Sequence, residues 1–173
     1  MKKSSFVLTV LRIAFILGLV GLFISFANIL WVFCGHNFKW ESARKFQSSI
    51  DFTNIWRHDK VAFNVISVLE IASIIVKILF FLIVLRILKH LNFTNPFNNV
   101  LVGMLKKISV LAFFIGILGI VVKIFIEAKV SNDLLLSTQI GNSEYLWTGA
   151  ILFLVYTVFQ RGHELQSEND LTI

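Results

Sequence analysis

Ionisable side chains interrupt apolar runs of this sequence: Glu70 and Lys77 in one run, and Lys123, with Glu127 near the far end, in another. Charge is costly in a hydrocarbon layer. Residues of this kind there face a bundle interior or a wet cavity, pair with one another, or mark a path for ions or protons. Glu70, Lys77 and Lys123 are therefore candidates for function along a polar interior. The structural alternative is that both lysines extend their stems to the nearer headgroup layer, with Glu70 neutral or paired. Tyr156, in a further apolar run, has a hydroxyl able to accept a hydrogen bond from Lys77. Glu70, Lys77, Lys123 and Tyr156 make the candidate intramembrane polar site. Centring the second run near Ser73 and the third near Leu118 puts Glu70 and Lys123 about 4.5 and 7.5 Å to the same side. The spacing therefore predicts a Glu70–Lys123 pair, with Lys77 about 6 Å to the other side, near Tyr156.

Other chemistry is poorly provided for. His36, His58, His90 and His163 are never four residues apart, so no two of them share a helix face as metal ligands. The single Cys34 cannot form an internal disulfide or a four-ligand metal site of its own. Glycine-rich phosphate loops, the Gly-x-Ser-x-Gly elbow and paired cysteines are missing from the sequence. The expectation is a protein that is not an enzyme, with no cofactor and no metal. The formal net charge is +6, but the basic residues are dispersed. They form no stripe for direct nucleic-acid binding and suit membrane topology and attraction to anionic lipid better.

The elements that must position these side chains follow from hydropathy. Of 173 residues, 57 % are hydrophobic, above the roughly 45–50 % of soluble domains, and the mean hydropathy is +0.81. One membrane domain covering 1–173 is expected, all-α and polytopic: an antiparallel four-helix transmembrane bundle with spans at about 13–33, 61–85, 108–128 and 145–160. A cleaved secretory signal is the competing reading of the first run, with Lys2 and Lys3 before it and small residues around Ser25-Phe26-Ala27. The apolar residues continue through Phe33, longer than such a signal requires.

Arg86, Lys89, Lys106 and Lys107 lie between runs two and three without an acid. Together with Lys2, Lys3 and Arg12 they predict both termini in the cytoplasm. Lys39, Arg44, Lys45, Arg57 and Lys60 in the outer connection 34–60 dilute that bias. The cytoplasmic hairpin 86–107 is predicted to protrude, with Asn95 capping a helix that starts at Pro96 and runs to Ala128. The tail 161–173 is cytoplasmic on this reading, and Glu144 sits at the interface.

At 100° per residue, each run carries one stripe for a shared interior. In the first it is Ala14, Gly18, Gly21, Ser25 and Asn28. In the second, Ser67, Glu70, Ser73 and Lys77 lie on one side, and Val65, Val68, Leu69, Ala72, Ile75, Val76 and Leu79 cover the other. In the third it is Ser109, Ala112, Gly116, Gly119, Lys123 and Glu127, and in the fourth Tyr145, Gly149, Tyr156 and Gln160. Small residues so spaced let helices approach closely in lipid.

The ending Glu168-Asn169-Asp170-Leu171-Thr172-Ile173, the turn Asn95-Pro96-Phe97 and the pair Lys106-Lys107 before Ile108 resemble the bacterial membrane family called Domain of Unknown Function 2975. In place of that family's acidic residues after the turn stand Asn98 and Asn99. The resemblance implies a bacterial inner membrane and a gene neighbour encoding a small helix-turn-helix regulator. It implies no catalytic residues. The leading expectation is a membrane-embedded regulatory or sensory subunit whose cytoplasmic hairpin and acidic tail, with Glu164, Glu168 and Asp170, contact such a transcriptional regulator. A small transporter or channel component with a polar interior, or a structural membrane protein without ligand, are the alternatives. Besides the lipid bilayer and that regulator, a second copy of the chain is a further expected partner.

Overall fold

The computed structural model describes residues 2–38, 55–57, 59–90, 97–129 and 142–170. The described residues are helical apart from short turns: α1 (Lys2–Asn37), α2 (Lys60–His90), α3 (Asn99–Lys129) and α4 (Glu144–Asp170). Three helical segments are long and apolar enough to cross a membrane: Phe6–Asn37, Lys60–His90 and Asn99–Ala128. The chain is a membrane protein on that evidence. α4 falls short because its uncharged stretch, 145–160, is bounded by Glu144 and Arg161 and is too short.

Side-chain caps set the helix starts. Asp59 Oδ1 accepts from the backbone N–H groups of Val61 at 2.8 Å and Ala62 at 3.1 Å, satisfying two donors that a helix N-terminus leaves free. Asn98 does the same for Leu101 at 2.7 Å. The predicted cap at Asn95 and start at Pro96 lie outside the described residues; among the described residues α3 begins at Asn99, after Asn98.

Successive helices form the extensive interfaces among the described residues: α1 on α2, α2 on α3 and α3 on α4. α1 and α2 run in opposite directions, because Phe15 meets Phe81 edge-on at 5.4 Å near one end and Phe33 stacks on Phe63 at 6.3 Å near the other. α3 and α4 do likewise, with Phe97 against Phe159 and Gly116 against Leu146. Two apolar clusters fill the seams. One joins Ile29 and Val32 of α1 to Phe63, Ile66 and Ile74 of α2 and Val122 and Ile126 of α3. The other joins Phe80 and Ile87 to Leu101, Leu105, Ile108, Ala112 and Ile115, with Leu152 and Val155 of α4 packed on it.

The face of α1 turned to α2 is not the expected small-residue stripe. Phe15, Leu22, Phe26, Ile29, Phe33 and His36 are among the buried or partly buried positions, whereas Ala14, Gly21 and Ser25 are exposed. Of that stripe Gly18 meets Phe81, but nothing lies within 4 Å of a β-carbon placed at Gly21. The helix is rotated about a quarter turn from the predicted face. Large aromatic and aliphatic side chains give more contact area than glycines, and in lipid no hydrophobic drive selects a face.

The α3 stripe is a true seam in its first half. Ser109 and Ala112 are fully buried, and Ser109 Oγ donates to the Gly149 carbonyl at 3.0 Å. A β-carbon at Gly116 would lie 2.6 Å from Leu146, and one at Gly119 would overlap Asn142. Glycine at both positions is what lets α4 approach.

Candidate functional site

Asn142, next to the start of α4, lies against Gly119 of α3 and donates from Nδ2 to Ser73 Oγ of α2 at 3.3 Å. Both side chains are buried. The Tyr145 N–H bonds back to the Asn142 carbonyl at 3.0 Å, and the Leu146 N–H to that of Ser143 at 3.0 Å, which closes the first turn of α4. Ser73, Gly119 and Asn142 therefore share one level. On α1 the Gly18–Phe81 contact places Phe26 near the same level by residue count. That level falls near the middle of the apolar parts of α1, α2 and α3, and α4 begins there.

This register relocates the predicted site. Lys77 Nζ stands 5.9 Å from the ring centre of Tyr145, not near Tyr156. Tyr145 in turn meets Phe80 edge-on at 6.1 Å. The predicted Lys77–Tyr156 hydrogen bond assumed that α4 was centred like the other helices. Because α4 starts just after Asn142, Tyr156 lies about 20 Å beyond that level. There it packs in the second apolar cluster. Glu144, expected at an interface, sits exposed close to the level of Ser73.

The predicted Glu70–Lys123 pair is also absent. Lys123 Nζ turns to Glu127 Oε1 on its own helix at 3.8 Å, with side chains 64 % and 50 % exposed. Glu70 is partly buried, and the charge acting on it is Lys77, two turns along α2. Depth arithmetic put Glu70 and Lys123 at similar heights but carried no information on which way either helix faces.

The polar groups thus divide into two. A line along α2 comprises Glu70, Ser73 and Lys77, met by Asn142 and Tyr145. A notch of about 390 Å³ beside α3 is lined by Gly119, Ile120, Lys123, Ile124, Glu127, Asn142 and Ser143. Its ammonium, carboxylate, amide and hydroxyl suit a small polar or zwitterionic guest. Among the described residues no group of three His, Cys, Asp or Glu side chains is placed to hold a metal ion. His36 is buried at 2 % exposure, with Nδ1 at 2.9 Å from the Val32 carbonyl and its ring between Trp56 and Phe63. Its Nε2 has no hydrogen-bond partner among the described residues.

Of the expected partner-contact residues, Glu164 is held on α4. It accepts from Gln160 Nε2 and from Arg161 Nη1, each at 3.1 Å. Glu168 is exposed. Asp170 ends α4, and its side chain lies outside the described residues.

Asn142 is the residue that the hydrophobic stripes did not identify. Its signal was the short polar sequence Asn142-Ser143-Glu144 before an aromatic-rich helix, a pattern that favours capping. The class defined by these observations is a membrane protein that is helical over its described residues, with a polar seam at mid-level. Compared with protein-family models, curated proteins and solved structures, the chain matches none.

Proposed function

We propose that this is a regulatory or sensory subunit of a bacterial cytoplasmic membrane, of the Domain of Unknown Function 2975 family that its tail resembles. α1, α2 and α3 are three full spans, and α4 is a fourth membrane helix that starts near mid-depth and leaves on the side where α2 ends. Arg12, Arg86, Lys89, Lys106 and Lys107 gather on that side, which makes it cytoplasmic by the excess of positive charge. Both ends of the helical array then face the cytoplasm.

The observation that carries the reading is the reach of α4. Counted from Asn142, it passes the level of Lys106 near Val155 and continues for 15 residues to Asp170, about 22 Å. This extension offers Arg161, Glu164 and Glu168 beside Leu165, which is 60 % exposed, a mixture suited to a soluble protein surface. The partner is the small helix-turn-helix regulator that the resemblance implies. Pull-down with the intact protein, compared with a chain ending at Arg161, tests this. Capture by the first alone supports the reading; absence of capture by both overturns it.

The notch at Lys123, Glu127 and Asn142 favours a second reading, a small transporter or channel component. Ion or proton flux in liposomes that survives Glu70→Gln, Lys77→Met and Lys123→Met together would remove it.

A further inference from the structure

Five basic residues converge on one depth although they come from three helices. Arg12 Nη2 donates to the Leu88 carbonyl at 2.6 Å, which fixes Arg12 of α1 to the last turn of α2. Ser73 and Gly119 share a level through Asn142. α2 and α3 run oppositely, so 13 residues along α2 from Ser73 is Arg86, and 13 residues back along α3 from Gly119 is Lys106. Both stand about 20 Å from the Ser73 level. Lys89 lies one turn beyond Arg86. Lys107 points about 100° away from Lys106 around α3, so the two reach different sectors of the perimeter. All five residues are exposed. No acidic residue occurs in 9–16, 82–90 or 99–110, and on α4 the first one past this depth is Glu164.

If the Ser73 level marks the bilayer centre, the hydrocarbon ends about 15 Å from it and the phosphate layer begins there. We propose that Arg12, Arg86, Lys89, Lys106 and Lys107 form a belt that binds the phosphates of anionic phospholipids around the cytoplasmic ends of α1, α2 and α3. This rests on the membrane reading above. Tyr156 of α4 falls at the same depth by count, where an aromatic ring with a hydroxyl is at home. Lys89, Lys106 and Lys107 act as point charges with rotatable donors, and the Arg12 and Arg86 guanidinium forks match the phosphate that all phospholipids share, so the belt selects for headgroup charge rather than for one headgroup structure.

The test uses the purified full chain in neutral detergent, titrated with phosphatidylglycerol or phosphatidylcholine, with bound lipid counted by native mass spectrometry. Phosphatidylglycerol is expected to be retained over phosphatidylcholine. Lys89→Gln, Lys106→Gln and Lys107→Gln should each weaken its binding about fivefold, and about 0.5 M salt should remove most of the preference. Lys60→Gln, at the opposite end of α2, should leave it unchanged. Equal retention of the two lipids overturns the proposal, as does a loss from Lys60→Gln as large as that from Lys106→Gln. Extraction of native membranes at alkaline pH separates the two readings. A chain that washes off refutes membrane integration, whereas one that stays without lipid preference refutes only the belt.

Discussion

Asn142 donates its side-chain amide to the Ser73 hydroxyl at 3.3 Å, and that one bond ties the beginning of α4 to the middle of α2. An amide and a hydroxyl buried among apolar helices satisfy each other there, and leaving either alone would cost more than the bond contributes. Register is therefore set by a polar contact, with aliphatic packing following on both sides.

Ser73→Ala and Asn142→Ala each leave the other partner buried and alone and should each lower stability in detergent by about 1–3 kcal/mol. The double variant should lose less than the sum, with a coupling of about 0.6 kcal/mol, the usual size for such bonds between membrane helices. Additive losses would show that the contact contributes nothing.

Glycine positions separate close approach from mere smallness. Gly119→Leu should destabilise by about 1–3 kcal/mol or prevent folding, because the side chain must displace Asn142. Gly21→Leu meets open space and should be tolerated. Equal effects in a detergent unfolding assay would contradict the placement of the α3–α4 seam.

Glu70→Gln and Lys123→Met should be additive within about 0.5 kcal/mol, since the two side chains do not pair. Lys123 with Glu127 is an exposed i,i+4 pair, worth about 0–1 kcal/mol at most. A coupling of about 2 kcal/mol or more in the Glu70–Lys123 cycle, well above this bound, would reverse this assignment.

Accessibility tests the orientation directly. With Cys34 replaced, Ser167→Cys and Asn99→Cys should resist an impermeant thiol reagent added outside intact cells, and Phe38→Cys should react. The reverse pattern would place the α4 extension outside and remove the cytoplasmic partner.

Much of the fold was legible because spanning a bilayer imposes length and hydropathy on consecutive residues. Ile13 to Phe33 and Ile108 to Ala128 carry that signal without help from tertiary structure. The α3 seam was legible too, since Ser109, Ala112, Gly116 and Gly119 are small for a reason that spacing reveals. On α1 the same device misled: Gly21 is small but unpacked, and the contact face is set by Phe15, Leu22 and Phe26. The candidate site was less legible. Its members Ser73 and Lys77 stood out on their helix, but their partners Asn142 and Tyr145 depend on how far α4 slides along α2. Periodicity within a helix contains no term for that displacement.

The stepwise packing of α1 on α2, α2 on α3 and α3 on α4 has a consequence for biosynthesis. Each extensive interface among the described residues joins helices that are neighbours in the chain, so each can close as soon as its second member leaves the ribosome. Contacts of short sequence separation form early and cost little loop entropy. The Asn142–Ser73 bond skips over α3 and is available only once α4 is made. It then acts as the closing check on a hairpin already assembled, and a chain stalled before residue 142 would hold α1, α2 and α3 together with Ser73 still waiting for its donor.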